Sequence, residues 1–487
     1  MKSCRSISYL SSIQFKLNSH PSGHSNLPVR RLAQALPYVS ALADVEGMER
    51  TLATQIEHPD FPELLKVFAR IGCLSFGGPA GQIALMHREL VEERRWVDED
   101  QYLHALNFCH LLPGPEAQQL ATWVGWRLHG VKGGLAAGLL FVIPGALVIL
   151  ALSTLYAYAA NLDWFAAMFV GIKAAVLSIV VQALIRIGGR ALNTRFKHVV
   201  AAAAFIALFF FNLPFPVVVF GAGAIGMFVA TRRPGWLSLK ANGAVNKSVA
   251  KPWGMSLKAI FIWSLIWALP LLVVLLTLGR DHVLWDIGIF FSQLALVTFG
   301  GAYAVLAYMA QEAVNGFGWL SPREMADGLG LAETTPGPLI LVTQFVGYLA
   351  AFRAPEPFTP LVAGIIGAGL TTWVTFAPCF LWIFAFAPWI ERMDNAKWLK
   401  GGLATLTAAV VGVIANLTAW FALHVLFSVV GERQFGPVRI YWPDIATFDW
   451  RAAVLSLMAA FLVFRLGWNV IAVLFASALG GVAIGLV

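Results

Sequence analysis

Charge is what this chain has least of. Of its 487 residues only 12% are Asp, Glu, Lys or Arg, against 59% apolar, a balance that excludes two or three ordinary soluble domains. Cysteine is nearly as scarce: Cys4, Cys73, Cys109 and Cys379 show no CxxC spacing, so neither a structural zinc nor a disulfide framework is indicated, and all four read as small buried residues. Cys109 with His104 and His110 lacks the spacing for a soft-metal site. No GxxxxGK[ST], HExxH or GxSxG occurs, which argues against ATP hydrolysis and against the common peptidase and esterase chemistries. No cofactor and no metal is expected, and energy for any work has to come from gradients.

Long apolar runs are what the chain does have. Mean hydropathy is +0.73, and a helix crossing needs roughly 20 apolar residues, so the stretch from Phe61 to Val487 reads as an integral membrane protein with short loops. The net charge of +8 then reports topology before it reports partners, and no nucleic acid is expected. Residues 1–47 differ: they are Ser-rich, with five Lys or Arg and no acid before Asp44. An N-terminal extension over 1–60 is expected to be disordered. Arg30-Arg31 followed by LAQALPYVSALA imitates a signal peptide only loosely, being interrupted by Gln34 and Pro37, and a start codon assigned too far upstream is a further reading.

The sequence repeats itself at a fixed offset. Phe76-Gly77-Gly78 returns at Phe299-Gly300-Gly301, Trp96 at Trp319, and Pro113-Gly114-Pro115 at Pro336-Gly337-Pro338, each with an offset of 223. Glu89 pairs with Glu312 in the same register. The chain therefore reads as a tandem duplication, with a period far too long for a solenoid. Each copy opens with a segment broken at Gly-Gly (62–87; 286–309) and one broken at Pro-Gly-Pro (102–126; 325–350). Ordinary spans follow at 133–159, 164–185, 198–212 and 214–230 in the first copy, and at 359–386, 400–428, 451–466 and 468–486 in the second, with a linking helix at 257–278. The expected fold is all-α and polytopic: two six-segment repeats joined by one helix, about 13 segments by hydropathy. The predicted divisions are an extension (1–60), a first repeat (61–230), a basic loop and linking helix (231–283) and a second repeat (284–487).

An even number of crossings per copy plus one linking helix makes the repeats inverted. Charge agrees: the loops Arg186 to His198 and Thr231 to Ser256 are basic and lack any acid, which places both in the cytoplasm. The loop from Val429 to Trp450 is balanced by Glu432, Asp444 and Asp449, as an outside loop can be. This puts the N-terminus in the cytoplasm and the C-terminus outside. Re-entrant rather than crossing broken segments would leave the parity unchanged.

Gly-Gly and Pro-Gly-Pro inside membrane segments free backbone groups that lipid cannot satisfy, so they persist only where protein or a wet cavity covers them. Broken helices at matching positions of inverted halves point to a transporter site near the midplane. Gly78 with Pro79, and Gly114 with Pro115, can start new half-helices whose free amides and positive dipole ends suit an anion. Beside the breaks stand Ser75, Gln82, Gln118 and Gln119 in the first copy and Thr298, Thr334 and Thr335 in the second, able to hydrogen-bond a small oxyanion. The alternative is that the motifs only kink helices and let them pack closely. Ionisable residues in apolar segments are costly, which singles out Lys66, Arg70, His104, His110, Glu116, Lys173 and Glu333. Arg70 is the preferred long-range attractor for an anion. Glu89 and Glu312, and Glu116 with the matched pair His110 and Glu333, are the candidates for coupling protons to it.

The residues LSFGGPAGQIALMHRELVEERRW and LLPGPEAQQLATWVGWRL, with their echoes VTFGGAYAVLAYMAQEAV and AETTPGPLILVTQFVGY, resemble the chromate ion transporter family, in particular its long two-domain members. The resemblance covers nearly everything from Phe61 onward and implies two oppositely oriented halves with thirteen segments. It maps the first-copy motif onto Ser75, Phe76, Gly77, Gly78, Pro79, Trp96, Pro113, Gly114 and Pro115. In the second copy Ala302 replaces the proline, and Leu339 to Val342 replace Glu116 to Gln119, so most substrate contacts are expected from the first half. The function implied is efflux of chromate across the bacterial inner membrane, conferring resistance, with sulfate the competing dianion and proton antiport a plausible drive. A sulfate or other oxyanion transporter is the alternative within the class. A passive anion channel and a membrane-embedded transferase are the alternatives outside it, the enzyme disfavoured because Asp is nearly absent from the apolar segments. Membrane lipid surrounds such a chain, and pairing as a homodimer is left open.

Overall fold

A computed structural model describes residues 58–485 apart from 77, 161, 238–252, 300–301 and 390–396. The N-terminal extension up to residue 57, most of the basic loop, and Gly77, Gly300 and Gly301 therefore lie outside the described residues. Sixteen helices follow one another through the rest. In the first copy they are α1 (Phe61–Leu74), α2 (Gly78–His87), α3 (Glu99–Cys109), α4 (Glu116–Ala159), α5 (Asp163–Ala191), α6 (Arg195–Phe209) and α7 (Phe215–Arg232). The linking helix is α8 (Trp253–Thr277). In the second copy they are α9 (Val283–Val297), α10 (Ala302–Gln311), α11 (Pro322–Thr334), α12 (Val342–Arg353), α13 (Pro360–Phe386), α14 (Lys397–Leu426), α15 (Trp450–Phe464) and α16 (Val470–Gly485). Six are long and apolar enough to cross a membrane and four shorter ones are apolar. The protein is an all-α, multi-pass membrane protein.

The helix limits follow the sequence closely, because apolar runs end where charge or Gly-Pro begins. The linking helix expected at 257–278 runs Trp253–Thr277, and the span expected at 359–386 runs Pro360–Phe386. The boundary expected between 126 and 133 is a kink inside α4: His129 and Gly130 leave helical geometry, with Gly130 at φ 60°, dividing α4 into 116–128 and 131–159. The loop from Val429 to Trp450, read in the sequence for its charge, contains two strands. Strands β1 (Val430–Phe435) and β2 (Val438–Pro443) pair antiparallel across it, turning at Gly436, which has a φ of 59°.

The first Gly-Gly segment and the second Pro-Gly-Pro segment are each two helices that double back. A straight rod would hold Arg70 and Glu89 roughly 28 Å apart, yet their side chains meet at 3.7 Å. Tyr102 on α3 donates to the Ile83 carbonyl on α2 at 2.7 Å, and His87 meets Glu99 at 2.6 Å, so α3 runs back beside α2. The outer ends of α11 and α12 meet in the same way: Arg353 donates to the Trp319 carbonyl at 2.6 Å and also pairs with Glu324. After α2 and α10 the chain passes through matching π-helical turns, Arg88–Glu93 and Glu312–Gly316. Each turn ends in a tryptophan amide bonded back into it, Trp96 to Leu90 and Trp319 to Ala313, both at 2.8 Å.

Packing between the copies is reciprocal. The long helices α5 and α14 touch each other, α6 and α7 pack on α14, and their counterparts α15 and α16 pack on α5. The closest approaches recur too. A Cβ on Gly171 of α5 would lie 1.8 Å from the Ser477 carbonyl of α16, and one on Gly226 of α7 would lie 1.8 Å from Thr405 Oγ1 of α14. Small residues give membrane helices this close contact where the hydrophobic effect offers no drive. The apolar stretch of α13 is 78% buried, while that of α8 is only 6% buried, so α13 is central and α8 is peripheral, packed along one side on α13.

Candidate functional site

The four breaks meet in pairs, each Gly-Gly break against the Pro-Gly-Pro turn of the other copy. The Gly337 amide donates to the Ser75 carbonyl at 2.8 Å, and the Gly114 amide donates to the Thr298 carbonyl at 2.8 Å. These two bonds are the same bond under the 223-residue offset. They satisfy carbonyls that the helix ends at Leu74 and Val297 leave open, so the backbone released by one interruption is covered by the other, as a lipid environment requires. Each tip also presses on the long helix of the opposite copy. A Cβ on Gly114, at φ +119°, would lie 2.7 Å from Cys379 Sγ in α13, and one on Gly145 in α4 would lie 2.3 Å from the Pro336 carbonyl. Cys379 is thus buried where its small side chain seats a turn.

At both breaks of the first copy the neighbouring side chains are polar, and Gln82, Glu116, Gln118 and Gln119 are buried. Gln82 Nε2 donates to the Gly337 carbonyl at 2.6 Å; in the second copy the matching position is Val305. Gln119 Nε2 donates to the Pro113 carbonyl at 2.7 Å and Gln118 Nε2 to Thr122 Oγ1 at 3.1 Å. The remaining side-chain oxygens of Gln118 and Gln119, together with Glu116 Oε2, are buried without a hydrogen-bond partner. His110 Nδ1 lies 3.6 Å from the other Glu116 oxygen. Pro115 caps α4 and Pro338 caps the short turn Leu339–Leu341, neither with a side-chain bond. The first-turn amides of α4 therefore have no capping side chain and start at a buried, polar break. Gly78, at φ 70°, opens α2 with Pro79 next.

Several candidate residues sit elsewhere or point elsewhere. The hydroxyls of Ser75, Thr298, Thr334 and Thr335 donate to carbonyls of their own helices, Ile71, Leu294, Leu331 and Ala332, at 2.6, 2.6, 2.7 and 3.0 Å. Their protons are already engaged. Arg70, more than half exposed, faces Glu89, whose buried carboxylate also takes a 2.5 Å contact from Arg94. Glu312 lies in the second π turn and Glu333 is buried at the end of α11. Among the described residues no group of His, Cys, Asp and Glu could hold a metal ion.

One cluster was not assembled from the sequence. Lys173 on α5 pairs with Asp327 on α11 at 3.2 Å, and Tyr156 on α4 donates to the other Asp327 oxygen at 2.7 Å. Asp327, which is 4% exposed, is an exception to the reading that Asp is nearly absent from the apolar segments. The signal was an Asp inside an apolar segment. Its partner lies in the other copy, where no spacing reveals it. Lys173 lines a cleft of about 480 Å³ beside β1 and the start of α15. Farther along α5, Arg186 and Gln182 line a second cleft, of about 360 Å³, that reaches Phe76 beside the first break.

The profile of a family described as Chromate transporter matches residues 62–227 and 285–482. The chain belongs to the chromate transporter family. It is 32% identical over 437 residues to a chromate transport protein of Pseudomonas aeruginosa, covering 86% of this chain and 92% of that one. It is 27% identical to a chromate transport protein of Cupriavidus metallidurans, covering 73% of this chain and 80% of the relative. An uncharacterized transporter of Methanocaldococcus jannaschii is 26% identical over 76% of this chain and 87% of its own length. No solved structure matches. The two matched stretches of the family profile leave out α8 and begin beside α1 and α9, the helices that lead into the paired breaks.

Proposed function

We propose that this protein is a secondary transporter that exports chromate, a tetrahedral dianion, from the cytoplasm across a bacterial inner membrane and so confers chromate resistance. The observation that carries the reading is the reciprocal clasp of the four breaks in a chain of this family: Gly114 on Thr298 and Gly337 on Ser75. Interrupted helices that meet at matching positions of two copies form the kind of site that secondary transporters place near the midplane. Here the uncapped first turn of α4 supplies amides and a positive dipole end for an anion.

The two copies act as inverted halves. Both broken segments of a copy return to the face they entered from, five helices from the second part of α4 through α8 cross, and the second copy then starts from the opposite side. The basic loops beside Arg186 and Arg232 place that end of α5 and α7 in the cytoplasm. The clefts at the two ends of α5 are the access routes to either face. The copies are unequal in this conformation: α10 packs along α14 and α11 along α5, whereas their counterparts α2 and α3 pack chiefly on α4 and the adjoining π turn. Exchanging that inequality between the halves alternates access. Moving two negative charges outward is favoured by roughly 4–5 kcal/mol per 100 mV of inside-negative potential, and proton entry in exchange, through Glu116 and His110, adds to the drive.

Radiolabelled chromate flux into everted membrane vesicles, with and without an imposed proton gradient, tests the reading, with sulfate as competitor. Inward flux that follows the gradient is expected. Uptake only in right-side-out vesicles would reverse the direction, and flux of sulfate without chromate would replace the substrate.

A further inference from the structure

We propose that Lys173 binds the transported anion at a second site, in the cleft beside β1 and the start of α15, and that Asp327 occupies the ammonium group when the site is empty. This rests on the reading of the protein as an oxyanion transporter. Lys173 and Asp327 are both at least nine-tenths buried, 3.2 Å apart, and come from different copies. The Asp327 oxygen nearest Lys173 receives no aligned hydrogen bond, while its other oxygen is held by Tyr156. A buried ion pair kept only for stability is a poor choice, because well-packed apolar residues serve as well or better. This pair also borders open space. Lys173 forms part of the wall of a cleft of about 480 Å³ that it shares with Arg323, His424 and Asp449, so three nitrogen-bearing side chains and one acid face it.

An arriving dianion competes with a single carboxylate for Lys173 and offers it stronger, charge-assisted hydrogen bonds. Asp327 is not orphaned when Lys173 leaves, since the Tyr156 hydroxyl stays on it. The exchange of partners also loosens the contact between α5 and α11, one of several that join the two copies at this face. Occupancy of the site and opening of that contact are thereby one event.

The test uses the full-length purified protein, titrated with chromate and with sulfate and then assayed for flux in liposomes. The double variant Lys173→Gln/Asp327→Asn removes both charges and leaves no unpaired ion. It is expected to keep the wild-type melting temperature and to lose anion affinity and flux by about tenfold or more. Wild-type flux in the double variant would assign the pair a purely structural role and overturn the proposal. Asp327→Asn alone leaves Lys173 without its rival, so chromate affinity is expected to tighten several-fold; unchanged or weaker affinity would also overturn it, and this arm decides if the double variant does not fold. Wild-type protein that moves no tetrahedral anion would instead remove the transporter reading itself.

Discussion

A single methyl group is enough to probe the paired breaks. Gly114 holds φ +119° with its open side 2.7 Å from Cys379 Sγ, so Gly114→Ala adds both backbone strain, about 1–3 kcal/mol, and a collision at the turn that seats the Thr298 bond. Chromate flux in everted vesicles is expected to fall about tenfold with the protein still present in the membrane. Gly189, near the end of α5, meets nothing within 4 Å, and Gly189→Ala is expected to leave flux unchanged. Equal flux in the two variants would detach the Pro-Gly-Pro tips from transport. The same scale explains why the hydroxyl residues beside the breaks are weaker candidates than their position suggested. A serine or threonine in a helix readily donates to the carbonyl a turn earlier, and Ser75 and Thr298 both do so. What distinguishes the first break from the second is Gln82, which crosses to the Gly337 carbonyl where Val305 has nothing to donate.

At the scale of elements, the hairpin of α11 and α12 is closed at its outer end by Glu324. Ser321 and Glu324 form a capping box, and Arg353 reaches the same carboxylate. Burial alone would raise the carboxyl pKa of Glu324, but the hydrogen bonds from Arg353 and Ser321 outweigh it and hold the value below the ordinary range. A carboxyl lowered in the folded state contributes stability that is fully present above its unfolded pKa and is lost as pH falls through the folded value. Melting curves from neutral pH down through the ordinary carboxylate range should show Glu324→Gln less stable than wild type near neutrality by about 1 kcal/mol, with the two converging in acid. A constant difference across pH would remove Glu324 from that role. Most elements were legible because hydropathy and charge read along one dimension: the apolar run that becomes α13 ends at Phe386, just before the polar stretch that starts at Glu391. The doubling back at Ser75 was not legible, since it is expressed by Arg70 meeting Glu89 and a hydropathy window cannot distinguish a rod from a hairpin. Nor was the β1–β2 pair, whose residues were weighed for charge and not for alternation. Asp327 carried a signal of its own, but its meaning depends on Lys173 in the other copy.

For the whole molecule, the proposed opposite orientation of the copies makes a prediction about sides. Glu92 and Asn315 are repeat partners under the 223-residue offset and both are exposed. In a background free of other cysteines, Asn315→Cys should react with a membrane-impermeant maleimide added to intact cells, and Glu92→Cys should react only after the cytoplasmic face is opened. Labelling of both from one side would make the copies parallel. The clasp has a further consequence for biogenesis. Gly114 and Ser75 are made long before Thr298 and Gly337, so the leading half enters the bilayer with bare amide and carbonyl groups at its two interruptions, an arrangement that hydrocarbon penalises. That half cannot mature by itself: it has to be sheltered, by water or by the insertion machinery, until the trailing half arrives with the missing donors and acceptors.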